Sequence, residues 1–168
     1  MPDMVTVDII RQLFKGVVES HRVGVSWSSV WNEALDADQD QSYPACIWSP
    51  PASGVVITPP DRGSSYSYDT FTVDCLFVDT TDSDRDTDQR DDAYERMEAI
   101  ARQCFYRFRQ LYVLDSATYQ GINLDLGIET SPTFVAVWDA AGSMRTGCRL
   151  TFTIKNNIPA PCPDGYFS

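Results

Sequence analysis

The groups best supplied for chemistry in this chain are carboxylates, and one run of them has a recognisable rhythm. Asp82-x-Asp84-x-Asp86 matches the opening of a calcium-binding loop, where alternate oxygen ligands wrap a hard cation. Such a loop needs Gly at its sixth position for a sharp turn and a bidentate Glu at its twelfth. Here those positions hold Thr87 and Ala93, so the run is expected to be the solvated entrance to a helix. The only histidine, His21, follows an amphipathic segment beside Arg22 and is expected to cap a helix C-terminus. Cys46, Cys75, Cys104, Cys148 and Cys162 are scattered, with no Cys-x-x-Cys spacing, and read as reduced thiols. There is no Gly-x-Ser-x-Gly, no His-Glu-x-x-His, no Gly-x-Gly-x-x-Gly and no phosphate-binding loop. Paired carboxylates are plentiful, but no spacing selects a pair. The expectation is a non-catalytic chain with no metal site and no cofactor.

Charge narrows the partners. The net charge is −11 and the isoelectric point is near 4.3. Phosphate backbones are gripped by Lys and Arg, so direct binding of nucleic acid is disfavoured despite the many aromatic rings. An anionic membrane surface is disfavoured for the same reason. No apolar run approaches the roughly 20 residues of a membrane span, and Asp3, Asp8, Arg11 and Lys15 interrupt any signal-peptide core.

The elements that would carry these groups can be read from periodicity. In the segment 3–20, Ile9, Ile10, Leu13, Phe14, Val17 and Val18 recur at helical spacing, with Asp3 or Thr6 as cap. Val23, Val25 and Trp27 alternate as in a short strand, with Trp31 in the same apolar patch, and 36–42 is an acidic loop. Tyr43–Trp48 and Val55–Thr58 read as short strands closed by prolines. Between Tyr66 and Val78, Phe71, Val73, Cys75 and Phe77 fall on one face and Thr72, Asp74, Leu76 and Val78 on the other. An acidic stretch, 79–92, leads into a long helix whose apolar stripe is Tyr94, Met97, Ala101, Cys104, Phe105, Phe108, Leu111 and Tyr112. Its acids lie towards the start and its arginines towards the end, as the helix dipole favours.

The last third reads as a β-meander. One strand is expected over 119–129, broken by Ser131-Pro132, and another over 133–139. A short turn at 140–143 then leads into a strand with Cys148, Leu150, Phe152 and Ile154 on one face. This order predicts an α+β fold: a mainly antiparallel sheet with an N-terminal helix and a long central helix packed on it. Residues 1–157 are expected to form a single domain and 158–168 an extended proline-rich arm. The second face of the sheet is expected to be covered by a neighbouring subunit.

Three features together resemble the tail terminator and minor tail proteins of tailed bacteriophages. One is the N-terminal helix followed by the proline-containing strand Tyr43-Pro-Ala-Cys-Ile-Trp48. Another is the strand Phe71–Val78 running through acidic residues into the helix that ends at Tyr112. The third is Arg145-Thr-Gly-Cys-Arg-Leu-Thr-Phe-Thr-Ile154, followed by a tail containing Pro and Cys. The stretch 49–66 has no counterpart in that pattern.

The resemblance implies a homo-oligomeric ring, usually a hexamer, at the head-proximal end of the tail. It would cap the tail tube protein and dock a head-completion or connector protein. Localisation would be the virion neck, after assembly in the host cytoplasm, with no membrane involved. DNA would pass through without specific binding, past channel-facing Asp36, Asp38, Asp40, Asp82, Asp84 and Asp86. Pro159, Pro161, Tyr166 and Phe167 of the arm would dock on a subunit or partner. Two other readings stay open: another neck or tail component, such as a head-completion protein or tail tube subunit, and a metal-dependent enzyme of unfamiliar type.

Overall fold

A computed structural model describes residues 5–29, 42–49, 53–57, 67–81, 87–115, 117–138 and 145–158. The first helix, α1, spans Val7–Glu19. Thr6 is its N-cap: the Thr6 side chain accepts a hydrogen bond from the Ile9 backbone N–H at 3.3 Å, satisfying one orphan donor. Ile10, Leu13, Phe14, Val17 and Val18 are buried, which is the stripe that the spacing predicts. The strands that follow are β1 (Ser26–Ser28), β2 (Ala45–Trp48), β3 (Ser53–Ile57) and β4 (Ser67–Thr80). The long helix α2 covers Thr87–Tyr112, and β5 (Ala117–Tyr119), β6 (Ile122–Leu124), β7 (Leu126–Val137) and β8 (Arg145–Asn156) complete the order.

The centre of the sheet is β4 paired antiparallel with β8, from Thr70 opposite Lys155 to Thr80 opposite Arg145. On the other side of β4 two strands share its length: β3 opposite Ser67–Phe71 and β2 opposite Cys75–Val78. β7 lies outside β8 and is antiparallel to it, while β1 adds to β2 as the single parallel pair among the described strands. The fold is α+β with a mainly antiparallel sheet, an N-terminal helix and a long central helix.

Alternation decides which face meets the helices. Phe71, Val73, Cys75 and Phe77 of β4 and Cys148, Leu150, Phe152 and Ile154 of β8 turn to one side and are buried. Against them pack the stripe of α1 and the residues Met97, Ile100, Ala101, Cys104, Phe105 and Phe108 of α2. Phe14 sits at the centre, its ring 5.9 Å from Trp48, 5.7 Å from Phe108 and 6.0 Å from Phe152. These separations fall in the favourable range for tilted aromatic pairs.

The opposite face differs along its length. At one end Ala45, Ile47, Leu76 and Val78 form a second, smaller buried cluster with Tyr43 and Val137 against it. Further along it is polar: Asp74 is held by Arg149, with Nε to Oδ1 at 2.8 Å, and Thr72 meets Thr153 across the strands at 3.3 Å. That polar part is compatible with water, while the apolar end is already buried within the chain.

Three boundaries differ from the expectation. β1 begins at Ser26, after a turn in which Gly24 takes φ +75° and leaves Val23 exposed. α2 starts at Thr87, so the last turns of the acidic stretch are helical, and Asp79 and Thr80 belong to β4.

The third difference is in the meander. Instead of one strand over 119–129, β5 and β6 form a hairpin whose loop residues Gln120 and Gly121 have φ of 51° and 85°. Two positive φ values in a two-residue loop match the twist of the flanking strands. β7 then runs straight through Ser131-Pro132. The register against β8 shifts between Ile128 and Thr130 and again between Thr130 and Thr133. Pro132 falls in this bulged stretch of the outermost strand, where a missing N–H breaks no ladder.

Candidate interaction surfaces

Asp36, Asp38, Asp40, Asp82, Asp84 and Asp86 lie outside the described residues, as do Trp31, Cys162, Pro159, Pro161, Tyr166 and Phe167. The second half of the calcium-like run is described, and Thr87 to Ala93 are α-helical, with Ala93 buried. Among the described residues no three His, Cys, Asp or Glu side chains converge as metal ligands. No described helix is long and apolar enough to cross a membrane.

His21 does not cap α1 with its side chain. Ser20 is the C-cap, and its hydroxyl donates to the Val17 carbonyl at 2.8 Å. The His21 backbone N–H takes the Val18 carbonyl at 3.1 Å, which frees the imidazole to reach α2. Its Nε2 lies 2.8 Å from Gln103 Oε1, and its Nδ1 accepts from the Val23 N–H at 3.3 Å. An amide oxygen on one side and an N–H on the other suit the tautomer that carries its proton on Nε2.

This bridge forms one wall of a cavity of about 510 Å³ between the end of α1 and the middle of α2. Val17 and Cys104 make a buried apolar floor, and Arg22 and Arg107 stand exposed at its rim. Most arginines and lysines described here are paired with carboxylates: Arg11 with Asp8, Lys15 with Glu19, Arg96 with Asp79, Arg102 with Glu98, Arg149 with Asp74 and Lys155 with Glu129. Arg22 and Arg107 have no such partner among the described residues. Sequence reading missed this cavity because its two cations, Arg22 in the turn after α1 and Arg107 on α2, lie far apart in the chain.

The other flank of α2 faces β7. Tyr94, Glu98 and Arg102 stand one turn apart, and the Glu98 carboxylate takes hydrogen bonds from both neighbours, with Arg102 Nε at 2.7 Å. Those two donors pull the Glu98 carboxyl below its usual range, and the bond to Glu98 pushes the Tyr94 phenol up to about 12. The Arg102 guanidinium lies 4.2 Å above the Phe134 ring, and Tyr94 packs against Trp138 at 5.7 Å. These contacts clamp the border of the sheet to the helix. Beyond them, β7 ends the sheet among the described strands, with Val135 55% and Trp138 47% exposed.

The described thiols offer no exposed nucleophile. Cys46, Cys75, Cys104 and Cys148 are all buried and unpaired. Burial raises the Cys75 thiol well above its usual value and pushes Cys104 and Cys148 to about 12. Comparison of the sequence with known protein families and with characterised proteins finds no match to either.

Proposed function

We propose that this chain is a structural protein of a tailed-phage virion, a tail terminator that forms a homo-oligomeric ring at the head-proximal end of the tail tube. The observation that carries this reading is β7. Its twelve residues border the sheet, and its outer side has no strand partner among the described residues. An open strand edge is a template for pairing, and in β7 the regular part of that edge is Thr133–Val137, beyond the bulge and Pro132. The order of helix, strands, long helix and meander supports the same reading.

In this function the ring binds the open end of the tube and satisfies its exposed edges. It then presents a face that recruits the head connector and no further tube layer. The excess of acid suits a conduit through which DNA moves without adhering. On this proposal Asp36, Asp38, Asp40, Asp82, Asp84 and Asp86 line the passage. The arm with Pro159, Pro161, Tyr166 and Phe167 docks on a neighbour. No catalytic step is assigned to the chain.

Negative-stain microscopy and sedimentation of the purified protein test the reading. Closed rings are expected. Long filaments would instead mark a tube subunit, and a monomer at every concentration would remove the assembly function. Reversing the six aspartates to Lys should slow DNA ejection and leave rings intact, and unchanged ejection would refute the channel assignment. Deleting 158–168 should weaken assembly, and unchanged affinity would make the arm a mere tail.

A further inference from the structure

Among the described residues, two arginines and two carboxylates without ion pairs lie on opposite flanks of one helix. Arg22 and Arg107 rim the cavity against α1, with Gln103, one turn before Arg107, bridged to His21. Asp91 and Glu95 are exposed on α2, one turn apart, and neither forms an ion pair among the described residues. Helical spacing puts Asp91 two turns before Glu98, hence on the flank that faces β7. Arg107 lies sixteen residues after Asp91, or about 24 Å along the axis at ~1.5 Å per residue. The two groups therefore cannot neutralise each other within one chain.

We infer that the cavity holding Arg22 and Arg107 receives the Asp91–Glu95 turn of α2 from a second copy of this chain. The occupant follows from charge complementarity. The cavity offers two guanidinium groups without a carboxylate among the described residues, Arg107 giving one N–H to Gln110 Oε1 at 3.0 Å and keeping its others, in a chain of net charge −11, and two exposed carboxylates stand on the far flank of the same helix. The His21–Gln103 bridge holds the wall of the cavity rigid, which lowers the ordering cost of docking. Cavity and carboxylates are different surfaces of the chain, so the contact is head-to-tail. A head-to-tail contact propagates, closing a ring when the rotation per copy permits. It also brings the β7 side of one copy towards the α1 side of the next. The inference deepens the ring reading and rests on it.

The test uses the full chain and two variants altered only at exposed positions. One is Arg22→Gln with Arg107→Gln, and the other is Asp91→Asn with Glu95→Gln. Melting curves and circular dichroism establish that both fold as the wild type does. In sedimentation at low salt each variant should need a roughly tenfold higher concentration to assemble. A one-to-one mixture restores a single native contact per pair. It should therefore populate two-chain species at concentrations where neither variant does alone.

Salt gives a readout on the unmodified protein: raising NaCl should dissolve the rings. Variants that assemble like the wild type, a mixture that stays monomeric, or salt-indifferent rings would each overturn this contact and leave the ring reading standing. A wild type that never assembles would overturn both.

Discussion

Gly147 lies so close to Phe77 of the adjacent strand that a Cβ at position 147 would sit 1.8 Å from the Phe77 carbonyl oxygen and 2.9 Å from Val78 Cα. Both neighbouring atoms are backbone, in the central β4–β8 pair, so no flexible side chain can swing aside. Gly147→Ala should separate the two strands locally and lower stability by about 3 kcal/mol. Urea denaturation measures this directly, and a loss under about 1 kcal/mol would mean that the strands yield.

Phe14 joins the helices to the sheet through three ring contacts and is completely buried. Phe14→Ala should cost about 3–5 kcal/mol, because Trp48, Phe108 and Phe152 would line the space left behind. Phe14→Leu keeps most of the volume and should cost appreciably less. Equal losses for the two variants would show that ring geometry, and not volume, is what the site requires.

Tyr94 and Glu98 predict a pH dependence with a worked sign. The phenol is raised from 10.0 to about 12, so its bond to Glu98 contributes fully below pH 10 and is lost as pH rises through about 12. The Glu98 carboxyl is lowered, so its contribution is present above the ordinary carboxylate range and lost as pH falls through its folded value. Tyr94→Phe should remove about 0.5–1 kcal/mol near neutrality, a modest figure because the pair is solvent-screened. The difference from wild type should shrink in strong acid and in alkali. A difference that stays constant across the whole range would separate the loss from this hydrogen bond.

The buried thiols predict slow chemistry. Cys46, Cys75, Cys104 and Cys148 should resist alkylation in the native protein and react at the rate of unfolding. Mass spectrometry of labelled peptides reads each position separately. Rapid native labelling at any of the four would place that thiol at the surface.

Much of this architecture is legible in the chain. The alternation in β4 and β8 assigns Phe71, Val73, Cys75 and Phe77, then Cys148, Leu150, Phe152 and Ile154, to one face, because a strand buried on one side cannot do otherwise. The stripe of α1 is equally plain. Within α2, Ala93 and Ile100, seven residues apart on one border of the buried stripe, escaped notice. Pro132 misled for a physical reason: proline ends a central strand, but on a bulged outermost strand it is tolerated, and nothing local says which strand will be outermost. The β5–β6 hairpin was missed because its turn signal, Gln120-Gly121, sits inside an alternating polar and apolar run that also suits one continuous strand. The candidate surfaces were the least legible part. The pairing of Arg22 with Arg107, and the opposition of Asp91 to the cavity, exist only after both helices have packed.

The pairing of β4 with β8 carries one more implication, for how the molecule comes into being. Asp74 and Arg149 are 75 residues apart, and the strands that hold them form the floor on which both helices rest. A nascent chain leaving the ribosome has α1, β4 and α2 available long before β8 completes the floor. Its apolar stripes must wait, uncovered, until residue 156 has emerged. Folding should therefore set in late in translation and all at once, and ribosome-stalled chains ending before residue 145 should be readily digested by protease.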